Sequence, residues 1–222
     1  MRWVKAWTGM LAGAALVGFA AHAAAFPQFA RDTKLACSTC HVTPAGGVDL
    51  TDAGKAYKAD KKAPAAGAAK AAEYVGLGKC KMCHYKEYKA WLETPHSHAL
   101  SRLQNADPKA AADMAGRLKV ELSGNPASND ACVVCHVTGF QLAGGYTGAD
   151  TSKASTLGNV TCEGCHGPGS LHVAAAVGDK KKLINRNVTA NLCMQCHTSV
   201  TSPKFNFDEY KAKGVHAVKV SG

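Results

Sequence analysis

The first apolar segment of the chain lies at its start, between a short basic stretch and a run of small residues. Arg2 and Lys5 precede an apolar stretch that ends at about Ala20, and the sequence Ala-His-Ala-Ala-Ala follows it directly. This order is typical of a secretory signal peptide. An uncleaved membrane anchor is the alternative, but the Gly- and Ala-rich centre is weakly hydrophobic. We predict a signal peptide over residues 1–25 and an exported, periplasmic protein without stable membrane insertion that begins near Phe26.

A second informative pattern is a set of apolar residues that recur at helical spacing among polar ones. Residues 85–93 fit a helix, Thr94-Pro95 interrupts it, and residues 96–103 resume the pattern. Thr94 can cap the second helix, with Pro95 in its first turn. His96 and His98 lie two positions apart on this helix and point about 200° apart, so they cannot serve one site from the same face.

Composition changes this picture because cysteine and histidine are abundant while aromatic residues are scarce. The 222 residues include 10 Cys and 10 His, with only 7% aromatic residues. Hydrophobic residues make up 46% of the chain and charged residues 19%, which excludes a disordered polar protein. Something other than side chains is therefore expected to fill part of the interior.

All ten cysteines fall into five C-x-x-C-H motifs, the attachment signature of c-type haem. The motifs are Cys37-Ser-Thr-Cys40-His41, Cys80-Lys-Met-Cys83-His84, Cys132-Val-Val-Cys135-His136, Cys162-Glu-Gly-Cys165-His166 and Cys193-Met-Gln-Cys196-His197. Two thiols on one helical turn can add to the two vinyl groups of a haem, and the adjacent histidine then ligates the iron. A zinc site would need two motifs for four ligands, which leaves one of the five over. Dithiol redox sites do not require the histidine. We predict five covalently bound haem c groups.

The remaining histidines are too few to give every iron a second histidine. Five lie outside the motifs: His22, His96, His98, His172 and His216. His22 belongs to the predicted signal peptide, so four histidines are left for five irons. Met114 is the only plausible methionine ligand, but it lies in a predicted helix that Asp107 caps, where a packing role fits better. We expect at least one open iron, or a ligand from another molecule.

The first motif is separated from the other four by an Ala-, Lys- and Pro-rich stretch from Lys55 to Ala72. Its composition is typical of a partly helical linker whose charges face solvent. We therefore predict an N-terminal single-haem module over residues 26–63, a linker over residues 64–73 and a compact four-haem domain over residues 74–222.

Several stretches between about Tyr74 and Val218 form one recognisable set. They are Lys79-Cys-Lys-Met-Cys-His84 followed by Trp91, Thr94 and His96; Asp130-Ala-Cys-Val-Val-Cys-His-Val-Thr-Gly-Phe140; Gly144-Gly-Tyr-Thr147; Cys162-Glu-Gly-Cys-His-Gly-Pro-Gly169; and Phe207-Asp-Glu209 with His216. In these stretches the chain resembles the tetrahaem cytochrome c-554 family, electron carriers that accept electrons from hydroxylamine oxidoreductase in nitrifying bacteria. The resemblance implies a mainly α fold with much irregular loop, in which short helices pack around stacked covalent haems.

The resemblance also implies a ligand for each iron of this domain. It pairs His84 with His172, His166 with His216, and His197 with His96, and it leaves the haem on His136 open near the loop from Phe140 to Thr147. His172 lies closer to its preceding motif than in the family, and the region after His197 is shorter. For the haem on His41 the family implies nothing, although its sequence resembles a single-haem module found before other multihaem or outer-membrane proteins. We take His98 as the candidate distal ligand there.

These features predict an electron-transfer protein rather than an enzyme. We expect a multihaem oxidoreductase as donor and a membrane or periplasmic cytochrome as acceptor. An enzyme that uses the open iron on small nitrogen oxides is one alternative. A subunit of an extracellular conductive filament is another, and oligomers are possible in either case. The formal net charge of +10 does not predict nucleic-acid binding, because ten haem propionates offset most of it.

Overall fold

In the computed structural model, helices and turns make up the fold over residues 28–62, 64, 71–148, 151–214 and 216, which are the residues that the structure describes. The predicted signal peptide and most of the predicted linker lie outside these ranges. The α-helices are α1 Gln28–Thr33, α2 Cys37–Cys40, α3 Asp52–Asp60, α4 Leu77–Cys80, α5 Tyr85–Leu92, α6 Ala99–Gln104, α7 Pro108–Leu118, α8 Asp130–Val133, α9 Thr151–Leu157, α10 Cys162–His166, α11 Ser170–Ala174, α12 Ala190–Cys193 and α13 Phe207–Ala212. Short 3₁₀ helices span Pro95–His98, Pro126–Ser128 and Lys180–Lys182.

The mainly α class with much irregular loop is confirmed. The described part of the chain contains no strand beyond an isolated antiparallel bridge between His41 and Leu50. Among the same residues, no helix is long and apolar enough to cross a membrane.

The predicted helices form, with one difference at the break between them. Helix α5 covers the first predicted segment, and Asp107 caps α7 by accepting a hydrogen bond from the Ala110 N–H at 2.9 Å. Thr94 does not cap the next element, because its hydroxyl donates instead to the Trp91 carbonyl at 2.7 Å. That element begins as the 3₁₀ helix Pro95–His98, not as the α-helix expected from the sequence.

The Ala-, Lys- and Pro-rich stretch begins inside a helix of the first motif's segment. Lys55 lies inside α3, which runs to Asp60 and ends where Lys61 takes a left-handed backbone conformation with φ of 60°. Thr51 caps this helix by accepting the Gly54 N–H at 3.1 Å. Helix α3 packs against α2, which contains the two cysteines of the first motif. The helical pattern predicted for the linker begins in α3.

The hydrophobic core is small and lies between the third motif and α6. Buried apolar residues from both elements meet there: Leu100, Leu103, Val133, Val137 and Phe140. Large apolar side chains elsewhere are exposed, including Met82 at 75% and Tyr85 at 62%, both next to the second motif. A prosthetic group bound at the motif would cover such side chains, which fits the scarcity of aromatic residues.

The first motif's segment packs directly against the fourth motif. A Cβ atom added at Gly167, whose φ is +75°, would lie 1.9 Å from the carbonyl oxygen of Ala45. Ala45 is itself only 3% exposed. The loop after the first motif also reaches Asn185, whose side-chain oxygen would lie 3.3 Å from a Cβ at Gly47.

Candidate haem sites

Each C-x-x-C-H motif lies in or directly after a short helical turn, which places its two thiols side by side. Helices α2 and α10 contain both cysteines of their motifs, while α4, α8 and α12 end at or next to the first cysteine. All ten cysteines lie in the described ranges, and none of them is joined to another in a disulfide. Within those ranges, no three His, Cys, Asp or Glu side chains converge on a point where they could hold a metal ion.

The first of three histidine pairs joins the second motif to α11. The rings of His84 and His172 have their centres 6.2 Å apart and an interplanar angle of 29°. His172 is held from behind by Lys180, whose carbonyl oxygen lies 2.9 Å from its Nδ1. In return, the Lys180 ammonium donates to the carbonyl oxygens of His172 and Val173, both at 2.9 Å. This reciprocal contact fixes the end of α11 and the direction of the His172 ring.

The second pair joins the fifth motif to the 3₁₀ helix Pro95–His98. The ring centres of His197 and His96 are 6.0 Å apart, and the rings are inclined at 62°. The Nδ1 of His197 lies 2.9 Å from the hydroxyl of Ser202. Phe205 stacks on the His197 ring at 4.9 Å with an angle of 13°.

The third pair joins the fourth motif to the C-terminal region. His166 and His216 have their ring centres 5.8 Å apart at an angle of 87°. The Nδ1 of His166 lies 2.7 Å from the carbonyl oxygen of Asn185, a residue only 8% exposed. Burial lowers the pKa of His166, and burial likewise lowers the pKa of His197. This shift favours the neutral ring, the form that can bind a metal.

The spacing of the three pairs fits one iron between each pair of rings. An imidazole nitrogen binds a first-row metal at about 2 Å and lies about 1 Å from its own ring centre, so two rings on opposite sides of one iron have centres about 6 Å apart. The observed separations run from 5.8 to 6.2 Å. In each pair one member belongs to a motif and the other comes from a distant segment. These are also the three pairs that the family resemblance implied.

His136 differs from these three histidines. Its Nδ1 lies 2.8 Å from the carbonyl oxygen of Ala99. In the described part of the chain no histidine ring lies opposite it, whereas the other three motifs of this domain each have one. Next to its motif is a cavity of about 190 Å³ lined in part by Val133, Phe140 and Tyr146.

The structure does not bring His98 to the first motif as a ring partner. His98 is exposed at the end of the 3₁₀ helix, and the ring contacts of the described residues do not include a pair between it and His41. His41 is part of the antiparallel bridge to Leu50, and burial lowers its pKa. The assignment of His98 to the haem on His41 stays a prediction.

Motif cysteines from different parts of the sequence also approach one another. The Cys80 and Cys162 thiols are within hydrogen-bonding reach, and this contact raises the pKa of Cys80 and lowers the pKa of Cys162. A second such contact joins Cys135 and Cys196 and lowers the pKa of Cys135. The second motif therefore lies beside the fourth, and the third beside the fifth.

Glu163, inside the fourth motif, is a structural residue that the sequence analysis missed. It is 2% exposed and accepts backbone hydrogen bonds from Gly76 and Gly169, both at 2.7 Å, and from Val75 at 3.0 Å. Burial raises the pKa of Glu163, while the three N–H donors act against the rise. The one sequence signal was that Glu163 lies in the stretch Cys-Glu-Gly-Cys-His, which resembles the cytochrome c-554 family. The haem attachment signature itself allows any residue at this position.

Comparison with known proteins gives matches for part of the chain. Residues 79–167 match the family described as cytochrome c554 and c-prime. Cytochrome c-554 of Nitrosomonas europaea is 35% identical over 98 residues, which are 44% of this chain and 40% of that protein. The chain thus matches about 40% of the length of this curated relative. The solved structure of reduced cytochrome c554 from the same organism gives a TM-score of 0.49 at 26% identity, and covers 64% of this chain and 84% of its own. The family match includes the motifs of His84, His136 and His166, and it does not include those of His41 and His197.

Proposed function

We propose that this chain is a pentahaem c-type cytochrome that transfers electrons between redox proteins in the periplasm. The match of residues 79–167 to the cytochrome c554 family supports this proposal. Each of the three histidine pairs would hold one iron, and the iron on His136 would keep an open face. The donor is a multihaem oxidoreductase, and the acceptor is a membrane or periplasmic cytochrome.

The observation that carries the proposal is the set of three histidine pairs with ring centres 5.8 to 6.2 Å apart. In each pair one histidine directly follows a Cys-x-x-Cys sequence, so each pair joins a haem attachment motif to a second imidazole from a distant segment. Two histidine ligands on opposite sides hold one geometry in both oxidation states, which suits electron transfer rather than substrate binding.

The bound haems would supply one-electron chemistry, and the chain's own residues would determine where each one lies. The paired cysteines anchor the groups, and contacts such as Cys80 with Cys162 bring neighbouring attachment points together. Main-chain carbonyl oxygens fix the rings of His166 and His172 through their Nδ1 atoms. Such outer contacts set ligand orientation and basicity, and through them the reduction potential.

Two measurements on the purified holoprotein test this proposal. Haem content by the pyridine haemochrome assay should give five haems per chain. Low-temperature EPR of the oxidised protein should show low-spin signals from the histidine pairs, together with a high-spin signal from the haem on His136. Fewer than five haems would contradict the count, and a spectrum without any high-spin iron would contradict the open face.

The open face at His136 supports one further candidate, an enzyme that acts on small nitrogen oxides. Two observations favour this candidate: among the described residues no histidine ring faces His136, and a cavity of about 190 Å³ lies beside its motif. Turnover of hydroxylamine or nitrite by the dye-reduced protein separates this candidate from the carrier. A carrier would bind nitric oxide when reduced, yet would show no sustained turnover.

A further inference from the structure

The histidines of the candidate haem sites differ in what their second ring nitrogen contacts. In three of them Nδ1 meets a main-chain carbonyl oxygen at 2.7 to 2.9 Å; these are His136, His166 and His172. In His197 the partner is a side chain, the hydroxyl of Ser202, at 2.9 Å. Among the described histidines that have an Nδ1 hydrogen bond, His197 is the one held by a hydroxyl group.

The direction of this hydrogen bond follows from the ligation. When Nε2 of His197 binds the iron, Nδ1 keeps its proton and must donate, so the Ser202 oxygen is the acceptor. An acceptor at Nδ1 makes the imidazole a stronger electron donor and stabilises the oxidised iron. A hydroxyl oxygen is a weaker acceptor than an amide carbonyl oxygen. It therefore increases the donor strength of His197 less than a carbonyl partner would.

The loop around Ser202 is built to hold this contact. The Ser202 N–H donates to the Thr198 carbonyl at 2.8 Å, and the hydroxyls of Thr198 and Thr201 meet at 3.0 Å. Arg117 of α7 donates to the Val200 carbonyl and ties the loop to the rest of the domain. Ser202 is half-buried in this arrangement.

We propose that Ser202 is a positioning residue that sets the reduction potential of the haem on His197 through the Nδ1 hydrogen bond. This inference rests on the proposed function, because it requires that His197 ligates an iron. The effect is confined to one of the five haems.

Two substitutions test the proposal in opposite directions by spectroelectrochemical titration of the holoprotein. Ser202→Ala removes the acceptor, and we expect the reduction equilibrium of one haem to shift about tenfold toward the reduced form, which is about 59 mV for one electron. Ser202→Asp supplies a stronger acceptor and should shift the same step toward the oxidised form. Ser199→Ala is the matched control, because Ser199 is exposed in the same loop. Equal potentials for the wild type and Ser202→Ala would overturn the proposal.

Two further variants keep the result interpretable. Ser202→Thr retains the hydroxyl and should have the wild-type reduction potential. If Ser202 had only a structural role, the threonine and alanine variants would have the same reduction potential. His96→Ala identifies the haem concerned, because its low-spin EPR signal should disappear. If His96→Ala leaves all low-spin signals in place, the proposed ligation is wrong. If it removes one signal while Ser202→Ala shifts no potential, only the role of Ser202 is wrong.

Discussion

Glu163 and Gly76 are joined by a buried hydrogen bond of 2.7 Å between a carboxylate oxygen and a backbone N–H, across 87 positions of sequence. The same carboxylate also accepts the N–H groups of Val75 and Gly169. Glu163→Gln would replace one acceptor oxygen by an NH₂ group that faces a backbone donor. We expect the free energy of unfolding to fall by about 1–3 kcal/mol, measured by denaturant titration of the holoprotein. Glu121→Gln, at an exposed position, should leave stability unchanged, and equal losses in both variants would contradict the role of Glu163.

Lys180 should stabilise the ligand position of His172. Lys180→Met keeps most of the side-chain length but removes the donors to the His172 and Val173 carbonyls. We expect a loss of about 1 kcal/mol and more high-spin character at the haem on His84 as the protein is warmed. Temperature-dependent visible absorbance measures this. Lys181→Met, one residue along and exposed, should behave like the wild type.

His96 and His98 form a matched pair of substitutions on one 3₁₀ helix. His96→Ala removes the ring that lies 6.0 Å from His197 and should convert one low-spin haem to high spin in EPR. His98→Ala should leave that haem low-spin. If His98→Ala instead converts a different haem, then His98 is its ligand, as predicted for the haem on His41.

Gly167 should be essential for the contact between the first motif's segment and the fourth motif. Gly167→Ala places a Cβ where the Ala45 carbonyl lies and also strains a backbone with φ of +75°. We expect faster cleavage of the segment around Ala45 by a protease under native conditions. Gly178→Ala is the control, because a Cβ there meets nothing within 4 Å. Identical cleavage rates would show that the contact does not hold the segment in place.

The features best predicted from the sequence were those set by local patterns. The helical spacing of residues 85–93 and the Asp107 cap depend on neighbouring residues alone, and both were correct. The Thr94 cap failed because the hydroxyl found a closer acceptor in the preceding helix, the carbonyl of Trp91. Capping propensity cannot distinguish a bond to the next helix from a bond to the preceding one, since both partners of Thr94 are close in sequence.

Contacts between distant segments could not be predicted from local pattern. Counting histidines predicted that at least one iron would lack a histidine partner, but the pairing itself came only from the family resemblance. Glu163 was missed because its three partners lie at positions 75, 76 and 169 and donate through main-chain groups, which carry no side-chain signature. The contact of Gly167 with Ala45 was missed for the same reason, because it depends on the close approach of two backbones.

The three histidine pairs have a consequence for how the chain reaches its folded form. Each pair closes a loop of roughly 50 to 100 residues, and closing loops of this length costs conformational entropy. A metal bridge between the rings would act as a cross-link that only the loaded protein possesses. Attachment of the prosthetic groups would then precede and direct the final packing, so haem supply, rather than the polypeptide alone, would determine the yield of folded protein.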